Sequence, residues 1–360
     1  MIGLSIAWRA AARGLRVVVL ERDEPGGGAS WVAAVMLAPV TEATLIEQDV
    51  LRLGLASAEA YPAFIAELQS ASGADVGYLP WGMLMVARDR DEAEALEREL
   101  EMRRGLGLSV ARLRPSEARA LEPALAPGVR LALEVGGDHA VDPRKLTAAL
   151  LRAVGKAGVE VRTGTPVAEV LDGGVRLTRG EVVPADQVVI AAGSWSNAID
   201  GVPEHARVPI HPVKGQILRL HDPAGAGLVS RVLRMSSGYL VPRGDGRYVL
   251  GATMEERGFD TTVTAGAVFE ILRDASEVIP GVKEFVIDEI IAGLRPATAD
   301  NTPALGPSAV PRLHWAVGHY RNGILLAPIT AEIVLAGLLG EELPEIAAPF
   351  TPQRFAQVPA

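Results

Sequence analysis

Few residues in this chain have types and spacing that point to chemistry, and they lie far apart. Gly3 and Glu21 are separated by 18 positions, as are the last glycine of a Gly-x-Gly-x-x-Gly turn and the acid that binds ribose hydroxyls in a dinucleotide fold. In that arrangement the glycine lets a helix pack closely on a strand, and the helix N-terminus faces the pyrophosphate. A glycine in a helix followed by a strand ending in Glu also has a purely structural use. Arg295 carries a planar fork that can hold a carboxylate through two charge-assisted hydrogen bonds, and an ordinary ion pair is its alternative use. The six histidines show no His-x-x-x-His spacing, there is no Gly-x-Ser-x-Gly elbow, and cysteine is absent. The sequence therefore offers no positive support for a zinc site or hydrolase chemistry, and it excludes disulfides and thiolate ligands.

The elements that must position these residues follow from periodicity. Residues 2–12 read as a helix with Gly3, Ala7 and Ala10 or Ala11 on one face, closed at Gly14. Residues 15–20 read as a strand buried on both sides, ending at Glu21 before the Pro25-Gly26-Gly27-Gly28 loop. This is the second half of a βαβ unit, whose first strand and first two glycines are expected upstream of Met1. Without that strand its two neighbours each lack a hydrogen-bonding partner. Helices are expected at 91–104, 146–157 and 327–339, with short strands at 159–162, 187–192 and 314–317. Segments 81–87, 129–135, 208–220, 238–242 and 247–251 read instead as an antiparallel sheet, with a hairpin at Asp245-Gly246. No fixed-period repeat is found.

Bulk properties limit the function classes. A chain of 360 residues with 49% hydrophobic composition can bury a sizeable core and suggests two domains. A net charge of -9 without a Lys/Arg cluster argues against nucleic acid as a partner. No apolar run reaches the roughly 18 to 20 residues needed to span a bilayer, so a membrane is not expected either. The cysteine-free composition is compatible with the cytoplasm.

Three motifs then carry a resemblance. Residues 292–296 read Ala-Gly-Leu-Arg-Pro, residues 318–328 read Gly-His-Tyr-Arg-Asn-Gly-Ile-Leu-Leu-Ala-Pro, and residues 212–216 read Pro-Val-Lys-Gly-Gln, with the strand 239–243 between them. On these motifs the chain resembles, over essentially its entire length, the glycine oxidases of thiamine biosynthesis within the D-amino acid oxidase flavoprotein superfamily. The resemblance implies an α/β plus α+β architecture. Residues 1–45, 138–206 and 290–360 would form a Rossmann-like FAD-binding domain, and 46–137 and 207–289 an antiparallel-sheet substrate domain.

It also implies non-covalent FAD, a small amino acid substrate, molecular oxygen as electron acceptor and a homo-oligomer, with a tetramer suggested. The implied reaction is oxidative deamination of glycine to glyoxylate, ammonia and hydrogen peroxide. Arg295 and Tyr239 would hold the substrate carboxylate, with Met254 and Arg321 lining the active site. Tyr239 and Met254 have core packing as their alternative, and Arg321 a structural ion pair. The implied cofactor contacts are Gly3, Glu21, Ser30, Ala33, Ala34 and Met36, then Val167, Gly193 and Trp195, and finally Gly318, Asn322, Gly323, Ile324 and Leu325. Free N–H groups at the start of the 327–339 helix would face the flavin C2 carbonyl.

Two departures from the family pattern stand out. Val35 occupies a position where glycine is expected beside the flavin, and Ser237 replaces a histidine found near the substrate in some relatives. Pocket size, which the sequence does not encode, leaves a sarcosine, proline or D-amino acid oxidase or dehydrogenase as the second enzyme reading. A flavin-free relative with a binding role is the reading from a different class.

Overall fold

The computed structural model describes residues 1–225 and 227–356. The helix Ile2–Ala12 buries Leu4, Ala7, Trp8 and Ala10 and leads into the strand Val18–Leu20, which pairs in parallel with Glu160–Arg162. A second parallel pair joins Val188–Ile190 to Leu313–Val317, whose other edge carries the antiparallel strand Ala304–Pro307. Among the described residues, Val18–Leu20 and Val188–Ile190 each pair on one side only. Both border the same cavity. The expected strand over 15–20 is thus shorter than its apolar run, and its residues are half-buried rather than buried on both faces.

Helix Pro143–Lys156 starts where Asp142 accepts from the N–H groups of Arg144 (2.9 Å) and Lys145 (3.2 Å), with Pro143 in the first turn. It packs on Gln48–Ser72, a 25-residue helix whose Leu53, Tyr61, Phe64 and Leu68 are buried. Burying each such side chain stabilises the fold by roughly 1.5–3 kcal/mol. The last helix, Ala327–Leu339, completes this core through Ile329 and Ile333 and ends at Gly340 in the left-handed conformation.

The second body is an eight-stranded sheet in the order Val286–Ala297, His211–His221, Arg247–Gly251, Gly238–Pro242, Val232–Met235, Met83–Ala87, Leu131–Val135, Ala111–Leu113. It is antiparallel except where Val232–Met235 meets Met83–Ala87 in parallel. Thr264 caps the helix Ala265–Val278, which covers one face with Ile271, Ala275 and Val278 against Leu218, Leu240 and Leu250. On the longest ladder, Val213 lies opposite Arg295 and Gly215 opposite Gly293. A short sheet of Met36–Leu37, His139–Val141 and Tyr78–Leu79 lies between the two bodies.

Candidate active site

A single cavity of about 1650 Å³ extends from the N-terminus of helix Ile2–Ala12 to the eight-stranded sheet. The cavity includes the space beside the unpaired edges of Val18–Leu20 and Val188–Ile190 among the described residues, so its lining, rather than its volume, identifies the site. The four substrate-contacting residues inferred from the sequence all line it, and so do the inferred cofactor contacts except Gly318. Gly318 acts behind the wall. Its φ is +77°, and an added Cβ would lie 2.6 Å from Thr298 Cγ2, so glycine is required there for packing.

The walls suit FAD at three places. Gly3 brings its helix against the strand end, since a Cβ there would be 3.4 Å from Ala191 Cβ. No side chain caps the start of that helix. The Glu21 carboxylate accepts only from the Asp23 N–H (3.1 Å) and has no cationic side chain paired with it among the described residues, which leaves acceptor capacity for hydroxyl groups. Arg22 lies 4.3 Å over the Trp195 ring and fixes the indole beside Gly28.

At the far end, the carbonyls of Leu325 and Ile324 accept from Ser57 Oγ (2.6 Å) and Tyr61 Oη (3.1 Å). Leu326 and Ala327 donate to Asn322 and Ile324. The N–H groups of Gly323, Ile324 and Leu325 have no acceptor among the described residues, although all three residues line the cavity. Backbone donors without partners on a cavity wall are suited to a polar ligand edge. The free donors thus lie just before the helix Ala327–Leu339 rather than at its first turn, where the Ala327 N–H is already bonded to Ile324.

Arg295 sits over the strand backbone. Its Nη1 donates to the carbonyls of Lys214 (3.3 Å) and Thr253 (3.2 Å), and no carboxylate pairs with it among the described residues. A Cβ at position 215 would lie 2.4 Å from both terminal nitrogens of Arg295. Gly215 therefore creates the space in which the guanidinium lies. Tyr239 is adjacent: burial raises its pKa above the ordinary phenol value, and Arg295 acts in the opposite direction. Its hydroxyl stays protonated at neutral pH and can donate.

Arg321 is placed differently. It pairs with Glu47, its Nε lies 3.2 Å from Glu42 Oε2, and Arg234 Nε lies 3.2 Å from Glu42 Oε1. The sequence left an active-site role and an ion pair open for Arg321. The structure places it on the cavity wall and in an ion pair. Met254 is 69% exposed at the cavity mouth and accepts from the Tyr320 hydroxyl (3.0 Å). His319 is buried against Thr330 Oγ1 (3.0 Å), and burial pushes its pKa down to about 3. It is neutral and does not serve as a base near pH 7.

The two departures resolve in different ways. Val35 has φ +60°, a left-handed backbone in which glycine is unstrained and a β-branched residue is an outlier. Ser237 does not line the cavity and lies beside Asp274. Sequence reasoning missed Gly215, Glu42, Glu47, Arg234 and Arg243. Only Gly215 and Arg243 had a signal, as part of the Pro-Val-Lys-Gly-Gln motif and as the last residue of the 239–243 strand.

Comparison with known proteins agrees with this geometry. Residues 1–336 match the family described as FAD dependent oxidoreductase. The chain is 33% identical to the glycine oxidase of Geobacillus kaustophilus over 98% of its own length and 94% of that protein. The crystal structure of a glycine oxidase from that organism superposes with a TM-score of 0.90 at 33% identity, covering 97% of this chain and 95% of the other. It is 34% identical to the bifunctional protein ThiO/ThiG of Synechocystis, matching 99% of this chain and 53% of that protein, so the chain spans about half of its length.

Proposed function

The chain belongs to the FAD dependent oxidoreductase family, and from that premise we propose that it oxidises glycine to glyoxylate, ammonia and hydrogen peroxide. The observation that carries this reading is Arg295, a cavity cation without a carboxylate partner among the described residues, beside a protonated Tyr239. The division into a cofactor domain (1–45, 138–206, 290–360) and a substrate domain (46–137, 207–289) belongs to the same proposal, with strand Val286–Ala297 running across the seam.

When bound, FAD would supply a hydride acceptor for the substrate α-carbon and a route for the electron pair to oxygen. The protein supplies position and electrostatics. Arg295 takes the amino acid carboxylate through donors not used on Lys214 and Thr253, and the Tyr239 hydroxyl donates to the same group. Holding both oxygens fixes the α-carbon and converts binding energy into orientation. The cofactor would be held by Gly3, Glu21, Ser30, the backbone of Ala33, Ala34 and Met36, Val167, Gly193 and Trp195, and the N–H groups at Gly323, Ile324 and Leu325. Asn322 and Met254 complete the wall. Water hydrolyses the resulting imine, and no protein base is needed for an amine bound in its neutral form.

The reading includes a role in thiamine biosynthesis, a cytoplasmic location and a homo-oligomer, for which a tetramer is our working state. Among the described residues no helix is long and apolar enough to cross a membrane. The test is anaerobic mixing of the flavin-loaded protein with glycine, followed by the visible flavin bands and by assay for glyoxylate. Bleaching with stoichiometric glyoxylate supports the proposal. If D-alanine exceeds glycine by tenfold or more in kcat/KM, the D-amino acid alternative replaces it.

A further inference from the structure

Val35 has φ +60° and is buried on the cavity wall between Ala34 and Met36. A left-handed β-branched residue persists only where its surroundings over-determine it. The constraint comes from the eight-stranded sheet. Arg243, at the end of strand Gly238–Pro242, donates from Nη2 to the Ala34 carbonyl (2.6 Å) and from Nη1 to the Val141 carbonyl (3.0 Å). Those two carbonyls flank the paired strands Met36–Leu37 and His139–Val141, in which Met36 lies opposite Ala140. One guanidinium fork thus fixes both the entry to the strained turn and the strand beside it. Arg243 has no carboxylate partner among the described residues, and its Nε is buried without an acceptor.

We propose that Arg243 is a positioning residue for the cofactor: it holds Ala34 and Val35 in the left-handed turn that presents the backbone of Ala33 to Met36 to FAD. This inference rests on the FAD-dependent reading of the cavity. It makes cofactor affinity depend on a side chain at the hairpin of the other body. It also accounts for a valine at a position whose backbone suits glycine, because the arginine supplies the restraint that the side chain resists. Without the fork, Val35 relaxes toward negative φ, and FAD binding must rebuild the turn. With glycine at 35 the turn forms without strain, and the fork matters less.

The experiment is a double-mutant cycle read by equilibrium binding of FAD to the apoprotein, using quenching of flavin fluorescence, with thermal unfolding of each apoprotein alongside. Arg243→Met is expected to weaken FAD by about tenfold or more, the scale of orphaned buried acceptors and a lost charged hydrogen bond. With Val35→Gly as the background, Arg243→Met should weaken FAD by less than about threefold, a coupling expected only of contacting groups. Arg243→Lys, which reaches one carbonyl, should fall between. It replaces Arg243→Met in the cycle if that variant does not fold. A purely structural role lowers the melting temperature but gives Val35→Gly the same effect on FAD affinity in both backgrounds, which overturns the proposal. Unchanged affinity in Arg243→Met also overturns it. A wild-type protein that takes up no FAD overturns the cofactor reading and this inference together.

Discussion

Two arginines line the same cavity in opposite electrostatic states. Arg321 is neutralised by Glu42 and Glu47, and Glu42 is shared with Arg234. Among the described residues Arg295 has only backbone carbonyls on Nη1 and no anionic side chain paired with it. A recessed cation without a counter-ion is costly unless an anion arrives from outside, whereas a satisfied cluster is stable without ligand. Under the proposed function this difference reserves substrate capture for Arg295 and leaves Arg321 to the cavity wall.

The largest test of this contrast is Arg295→Leu. Loss of a charged, two-pronged contact should lower kcat/KM for glycine by about 100- to 1,000-fold, with FAD affinity retained. Steady-state kinetics on the flavin-loaded variant read this, and a change below tenfold would remove Arg295 from the carboxylate site. Gly215→Ala should follow, because its methyl occupies the guanidinium's position. Displacement should raise KM by about tenfold or more without touching the substrate directly.

Arg321→Met probes the other side of the comparison. It leaves Glu47 without its cation, so stability should fall by about 1–3 kcal/mol in denaturant unfolding. KM for glycine should rise less than about fivefold. A KM effect equal to that of Arg295→Leu would erase the distinction between the two arginines.

The smallest effect on activity concerns His319. Its folded pKa is depressed to about 3 by burial, so acid favours the unfolded chain, where the imidazole protonates near pH 6.5. The stability associated with its neutral form is present above that pH and is lost progressively as pH falls toward 3, at up to about 1.4 kcal/mol per pH unit. His319→Gln should unfold with a shallower pH dependence over that window. Between pH 7 and 9 its activity profile should keep the wild-type shape.

Local signals made part of this structure readable from sequence. The helix Ile2–Ala12 has one small-residue face and a glycine stop, and the Asp245-Gly246 hairpin joins strands Gly238–Pro242 and Arg247–Gly251 as expected. The helix Gln48–Ser72 was not foreseen, because Pro62 inside it and its many small residues blur the apolar period. In the site, Arg295 and the run 323–325 were legible because each lies in a compact motif. The Glu42, Arg234 and Arg321 cluster was not, since its members come from segments far apart in sequence and meet only after folding. Gly215 was visible as a letter. Its use depends on an arginine crossing from the neighbouring strand, which no local pattern encodes. Val35 was noticed as a departure, but its positive φ and the arginine fork beside it became apparent only in three dimensions.

The most direct test of the central claim is binding of acetate, a carboxylate without an amine, to the flavin-loaded protein, read as a shift of the visible flavin bands. The account predicts saturable binding by wild type, little change in Arg321→Met and loss of binding in Arg295→Leu. Undiminished acetate binding by Arg295→Leu would contradict it and place the carboxylate site elsewhere in the cavity.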